Sequence, residues 1–526
     1  MPNPRRASRV LLLAVVAASV VALVGSTLST PAVATTRHAR VGVTHSKTKP
    51  DAHWSRAVRA KHALARVKKT FAPETPASER PDATLVLRNL SMLRDALSPA
   101  DQKVAAQFYK RPTYGQDKSG GCPPNRCTGV PATLGDDNLL MHYDPAELGY
   151  DPNVAFSQLQ YVANTYASSG YRRPKSDKGR GGDNRTDIYI AQLQPGLYGY
   201  CTTDQRPRPP HFDVWAYCVL DADYAGFPRT PIENFEVTIA HEYYHATQFA
   251  YDIADDGWFM EATAAWVEDE MYTNINDNFQ YLADSPITKP RRSIDKFAQN
   301  GVFHYGVWNF FRYLSEHYPA KTGALPTLML HMWQFADSSK SPRKDLYSVE
   351  AIDKALKKDA HTSLAEQFAN YSAATRDPAV TFSEGAALGY PIKPLGKSPV
   401  SLPAGKKKTF KAKLDHLTSS TFQFVPGGGT SKLKLTLRMA PKSQGSRAVA
   451  AIYGTSGSLT FVNIKVSRRG IGHKKVIFDG TVAAVEVTLV NASTRYVNCF
   501  RRHTPYSCSG NPVDENERAQ VQGKAA

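Results

Sequence analysis

Val237-Thr238-Ile239-Ala240-His241-Glu242-Tyr243-Tyr244-His245-Ala246 carries the pattern His-Glu-x-x-His on a segment that reads as helix. Residues four apart share one face of an α-helix. The imidazoles of His241 and His245 can therefore converge on one ion, at zinc–nitrogen distances of about 2.0–2.1 Å. Glu242 follows the first histidine and points beside such an ion, where it could take a proton from bound water. Without a metal, the same five residues would be a helix with two polar tips.

The surroundings favour the metal. Phe235, Val237, Ile239 and Ala240 make the segment apolar ahead of the motif, and Tyr243, Tyr244 and Phe249 make it aromatic within and beyond it. Such a helix belongs in a core, with its histidines facing a cleft. After an acidic turn containing Asp255 and Asp256, a second helix is expected over Trp258–Asp269. Glu261 lies on it, among mostly apolar residues. A buried carboxylate needs a partner, and a zinc ion is one.

The pair HEYYH and WFMEATAAWVED resembles the gluzincins, zinc peptidases that draw two histidines from one helix and a glutamate from the next. More closely, residues 120–395 resemble a family of secreted bacterial metalloproteases. The likeness runs through GGDNRTDIYIAQL, GLYGYC, AYCVLDADY, VTIAHEYYHATQFAYD, WFMEATAAWVEDE and YGVWNFFRYL. It implies His241, His245 and Glu261 as Zn2+ ligands and Glu242 as the catalytic base. Some gluzincins carry an Asp four residues after the ligand glutamate, and here that position is Ala265. The supporting carboxylate is then expected from Glu268, seven residues on and on the same helical face. The metzincin pattern fails, because positions 248 and 251 are Gln and Tyr. Zinc peptidases of this type add an oxyanion donor from a later helix. The likeness points to Tyr305 in Phe303-His304-Tyr305-Gly306, with His304 as the alternative and core packing of both rings as the plain reading.

The remaining chain sets the context. Its 526 residues exceed one compact core and read as two domains with a flank. Residues 1–34 read as a signal peptide: Arg5, Arg6 and Arg9, an apolar run from Val10 to Gly25, then Ala32-Val33-Ala34 as cleavage site. Six cysteines fall as three near pairs, Cys122 with Cys127, Cys201 with Cys218 and Cys499 with Cys508. In an exported chain these read as disulfides, and no CxxC pair competes for zinc.

The net charge of +18 is unevenly spread: +10 over 35–115, −10 over 116–395 and +15 over 396–526. Basic ends on an exported chain point to anionic envelope polymers or membrane surfaces rather than nucleic acid. A merely solvated charged surface would have the same composition.

Residues 35–50 lack periodicity and are expected to be disordered. A basic helical arm or prosegment follows to 115, with helical patterns over 54–71, over Leu85–Leu97 and after Ser98-Pro99. It contains no cysteine, so a thiol that blocks the zinc is excluded. Within 116–395, a helix is expected from Val154 to Ser168 and strands over Thr186–Ala191 and Trp215–Leu220. Asp183, Asn184 and Asp187 offer oxygens of the kind Ca2+ takes, and equally make an ordinary turn. An aromatic helix is expected over 301–317, and further helices over Leu325–Phe335, Val349–Leu356 and Leu364–Ala374.

From about Pro394 strict alternation appears, as in Lys432-Leu433-Lys434-Leu435-Thr436-Leu437-Arg438-Met439. Similar runs recur at Thr421–Val425, Val449–Tyr453, Leu459–Val466, Lys475–Phe478 and Val482–Val490. Residues 396–510 thus read as a basic β-sandwich appended to the enzyme, and 511–526 as a disordered tail. The fold expected is an α+β zincin-like catalytic domain over 116–395, mainly helical with a small sheet, followed by that β-sandwich domain.

The function expected is a secreted zinc-dependent endopeptidase acting on protein or peptide substrates. Two alternatives stand beside it. One is an envelope-binding protein with a structural zinc site; the other is a zinc hydrolase of a non-protein amide or ester.

Overall fold

The computed structural model describes residues 54–112, 132–339 and 345–526. The signal peptide, the stretch 35–50 and the Cys122–Cys127 pair lie outside the described residues.

The basic arm folds as three helices. α1 (Arg56–Phe71) is capped by Ser55, α2 (Ala83–Ser91) by Asp82, and α3 (Pro99–Gln107) by Ser98 with Pro99 at its first position. In each case the cap side chain accepts a hydrogen bond from a backbone N–H that would otherwise lack a partner. The helix expected over Leu85–Leu97 ends at Ser91, and a single 3-10 turn covers Arg94–Ala96.

The next region builds a five-stranded sheet, with α4 (Pro152–Ser168) between its second and third strands. The strands are β1 (Ala132–Gly135), β2 (Leu139–Tyr143), β3 (Thr186–Ala191), β4 (Gly199–Thr202) and β5 (Tyr217–Asp221). Their order is β1-β2-β3-β5-β4, parallel at the centre and antiparallel at both edges. Every residue of β2, β3 and β5 is buried, as expected of strands covered on both faces. One face (Ile188, Ile190, Cys218, Leu220) joins the main helical core. The other (Tyr189, Ala191, Tyr217, Val219) packs on the arm helices. The arm is therefore a layer of the fold.

α5 (Pro231–Phe249) carries the HEYYH motif. Thr230 and Glu233 form a reciprocal capping box around Pro231, which starts the helix at a defined residue. α6 (Gly257–Met271) crosses it. Then come α7 (Phe303–Gly306), α8 (Trp308–His317), the small hairpin β6 (Lys321–Thr322) with β7 (Leu325–Pro326), α9 (Thr327–Phe335), α10 (Ser348–Asp359) and α11 (Leu364–Ala374). The helix expected over 301–317 is interrupted after Gly306. A Cβ at Gly306 would stand 2.4 Å from the Asp284 carbonyl oxygen, so this close crossing admits only glycine.

The C-terminal region is two packed sheets around their own core. The first sheet has the order β13-β12-β15-β10-β8 and the second β14-β11-β18-β9. Their strands are β8 (Val400–Leu402), β9 (Lys407–Leu414), β10 (Thr418–Pro426), β11 (Lys432–Arg438), β12 (Ser446–Gly454), β13 (Leu459–Asn463), β14 (Ile471–Ile477) and β15 (Val482–Asn491). The short pair β16 (Tyr496–Val497) and β17 (Asn511–Pro512) precedes β18 (Glu517–Ala525).

One expectation is corrected here. Residues 511–526 are not a disordered tail, because β18 lies inside the second sheet between β11 and β9. Its inward positions are Ala519, Val521, Gly523 and Ala525, small residues interleaved with Gln and Lys, so its alternation is faint in the sequence. The sandwich also packs on the helical region. Leu417, Val449, Val490 and Ala492 belong to the same core as the helical region, and Arg376 pairs with buried Glu486 at 2.8 Å.

Candidate metal centre

α5 and α6 bring three ligand-type atoms together at their crossing. His241 Nε2 lies 3.0 Å from His245 Nε2, and Glu261 places Oε2 3.3 Å from the first and Oε1 3.3 Å from the second. A tetrahedral ion with bonds of about 2.0–2.1 Å requires ligand–ligand edges of about 3.3 Å. Among the described residues, this is the group of three metal-ligating side chains whose ligand atoms all lie within 4.8 Å of one another. Glu261 is fully buried and its Oε1 has no hydrogen-bond partner, which a cation would remedy. The residues fit a zinc ion.

The outward nitrogens of both rings are tied down. His241 Nδ1 lies 2.5 Å from Glu268 Oε1, and His245 Nδ1 lies 2.7 Å from Gln248 Oε1. Gln248 in turn donates to the Met260 carbonyl at 3.0 Å and to the Thr263 hydroxyl at 3.1 Å. Such partners fix the tautomer that leaves Nε2 free for a metal. Glu268, the carboxylate expected from the sequence, is thus the partner of His241. Gln248 carries no sequence signal for this role, since a glutamine three residues after a histidine is ordinary in a helix.

Burial works against charge throughout the site. It raises the Glu242 carboxyl above its usual range, and it raises Glu268 to about 7 despite the hydrogen bond from His241. At Glu261 burial also pushes upward, but the charge of His245 and the hydrogen bond with His241 outweigh it and hold that carboxyl far below the usual range. Asp255 and Asp256 are engaged elsewhere: Asp255 accepts from the Ser348 N–H at 3.2 Å and Asp256 from the Ser348 hydroxyl at 2.6 Å.

Three contacts from the arm reach this site, and none was legible in the sequence. The Thr84 hydroxyl donates to Glu242 Oε2 at 3.1 Å and accepts from the Cys201 N–H of β4 at 2.9 Å. The Tyr305 hydroxyl donates to the carboxylate of Asp82, and the Tyr305 ring centre lies 6.0 Å from that of His241. Burial, then the charge of Glu261, raises the Asp82 carboxyl to about 7. His304 is fully buried against Phe297, and burial lowers its pKa to about 4. Of the two candidate donors, only Tyr305 presents a hydroxyl beside the histidines.

Cys201 and Cys218 form a disulfide between facing residues of β4 and β5, and Cys201 Sγ lies 2.8 Å from the Glu242 carbonyl oxygen. Cys499 and Cys508 form a second. Two of the residues considered for Ca2+, Asp183 and Asp187, have side-chain partners of their own. Asp187 is bound by Arg111 and, at 2.8 Å, by His142, whereas Asp183 holds Arg185 at 2.6 Å. No helix among the described residues is long and apolar enough to cross a membrane.

No protein-family model matches the chain, and no curated protein does. Among solved structures, the pre-peptidase C-terminal domain of a collagenase from Bacillus anthracis is 8% identical, with 25% of this chain and 99% of that one covered and a TM-score of 0.15. A periplasmic inhibitor of g-type lysozyme from Aeromonas hydrophila is 7% identical, covering 24% and 98%, with a TM-score of 0.14. A GH115-family 4-O-methyl-α-glucuronidase is 10% identical, covering 68% and 54%, with a TM-score of 0.13. Likenesses at these scores say nothing of the site.

Proposed function

We propose that the chain is an exported zinc-dependent endopeptidase. The observation that carries the reading is the convergence of His241, His245 and Glu261 with Glu242 on the next residue of the same helix. A structural zinc site normally uses four protein ligands, whereas the group found among the described residues supplies three. The two disulfides suit an oxidising compartment outside the cytosol.

His241, His245 and Glu261 would hold the zinc, which would supply Lewis acidity for the scissile carbonyl and make water a stronger acid. The chain's own residues do the rest. Glu242 takes the proton of the attacking water and hands it to the leaving amine. Tyr305 stays protonated because burial raises its pKa well above the phenol range, so its hydroxyl can donate to the developing oxyanion. Glu268 and Gln248 hold the two imidazoles in register.

The test is cleavage of mixed denatured proteins by the zinc-loaded chain, with and without a chelator. Cleavage that the chelator abolishes and that Glu242→Gln abolishes with zinc still bound supports the proposal. Cleavage that survives both would assign it to another site.

A further inference from the structure

The outward face of the second C-terminal sheet has an unusual composition. In register across all four strands, Lys407 faces Lys524, Lys524 faces Lys434, and Lys434 faces Lys475. Lys411, Lys413, Lys432, Arg438 and Arg518 share that face, and all these side chains are exposed except where Gln and Thr intervene. No outward position of these strands holds a carboxylate. Like charges directly opposite one another destabilise a sheet, so this row is not what stability alone would select. The same face also exposes two large apolar side chains on the edge strand β14, Ile471 at 40% and Ile477 at 58%.

We infer that this face docks on an anionic phospholipid bilayer. The lysines match a sheet of negative headgroups, and the two isoleucines reach toward the acyl region. A hydrophilic polyanion would use the lysines and have no use for the isoleucines, which is why the bilayer is the occupant chosen. This inference does not depend on the peptidase reading.

The test is co-sedimentation of the full chain with vesicles of phosphatidylcholine alone or with one third phosphatidylglycerol, at rising salt. Binding only to the anionic vesicles, weakening as salt rises, is expected. Lys434→Glu with Lys524→Glu should weaken it at least tenfold, and Ile477→Ser severalfold with an unchanged salt slope. Circular dichroism confirms folding of each variant. Equal binding to neutral vesicles, indifference to the charge reversal, or capture of soluble polyphosphate with no vesicle binding would overturn it.

A different observation carries a second proposal, which rests on the peptidase reading. Three groups that a peptide substrate would need are already engaged by two residues at the start of α2. Thr84 holds the Glu242 carboxylate and the Cys201 N–H on the free edge of β4, and Asp82 holds the Tyr305 hydroxyl. His241 and Glu242 are only 9% and 6% exposed. We propose that the first turn of α2 is a built-in cover that occupies the substrate's place and must withdraw before hydrolysis.

Asp82→Ser combined with Thr84→Val tests this in the full chain. Serine keeps the helix cap yet is too short for Tyr305, and valine keeps the shape of threonine without its hydroxyl. Two readouts are taken: the rate at which a chelator strips zinc, and hydrolysis of denatured protein. Both should rise at least tenfold over the unmodified chain. Faster zinc loss with no hydrolysis would keep the cover and sink the peptidase reading. Unchanged zinc loss and unchanged hydrolysis would sink the cover.

Discussion

His241 Nδ1 lies 2.5 Å from Glu268 Oε1 across the α5–α6 crossing, although the two residues are 27 positions apart. This bond holds the Nε2 side of the ring toward His245 and Glu261. It also adds negative charge behind the imidazole, which strengthens it as a ligand. Losing a carboxylate in this position typically lowers metal affinity about 10–100-fold. Glu268→Gln should therefore bind zinc that much more weakly in competition with a chromogenic chelator, while the far-ultraviolet spectrum stays the same. Unaltered affinity would reduce Glu268 to a packing residue.

Glu242 and Glu261 are neighbours in space with opposite assignments, and metal content separates them. Glu261→Ala removes one of three converging groups and leaves two histidines without their anion, so zinc should be lost on dialysis. Glu242→Gln should keep zinc and lose hydrolysis. Zinc lost equally from both variants would contradict the division of roles.

Tyr305 presents a sharper case, since its hydroxyl is taken by Asp82 in this structure. Tyr305→Phe keeps the ring that stacks on Tyr281 at 4.9 Å. If the hydroxyl stabilises the oxyanion, turnover should fall about 10²–10³-fold with zinc content unchanged. If its only partner of consequence is Asp82, turnover should hold or rise as the cover loosens.

How far the chain could be read from its sequence depended on the range of each relationship. The i, i+4 pair His241 and His245 is fixed by helix geometry, so its convergence survives any tertiary arrangement. The Cys201–Cys218 pair spans 17 residues, and β11 declared itself by strict alternation. Glu261 stands out as a carboxylate on an apolar helix, but its role as third ligand rests on a resemblance, because nothing local says where a second helix crosses the first. Thr84 touches Glu242 from 158 residues away, and a lone threonine at the start of a short, mostly apolar helix carries no signal of that meeting. β18 is faint in the sequence because three of its four inward positions, Ala519, Gly523 and Ala525, are Ala or Gly, where a core strand usually shows larger apolar residues.

The last prediction concerns the junction between the helical region and the β-sandwich. His416 is buried there, with Nε2 at 2.8 Å from Asp295 Oδ1 and 2.9 Å from the Ser293 hydroxyl, and Nδ1 bound to Glu515. Asp295 also accepts from Tyr496 at 2.6 Å and from the Ser507 N–H at 3.0 Å, and the Tyr506 ring lies against His416. Burial pulls the imidazole down, but Asp295 and Glu515 prevail and raise it to about 9. Against an ordinary histidine near 6.5, that shift corresponds to roughly 3 kcal/mol of stability. The sign follows directly. The contribution is complete below about pH 6.5, shrinks as pH rises, and is gone above about 9. Asp295 shifts the other way, held far below the usual carboxylate range by His416 after opposing burial, so its contribution fades only in acid. Thermal unfolding of the full chain should therefore lose stability between pH 7 and 9.5. His416→Ala should be destabilised by about 3–5 kcal/mol at neutral pH, because Asp295 is left buried without its cation. That variant should also lose most of the alkaline slope. A slope that persists unchanged in His416→Ala would place the alkaline sensitivity elsewhere in the chain.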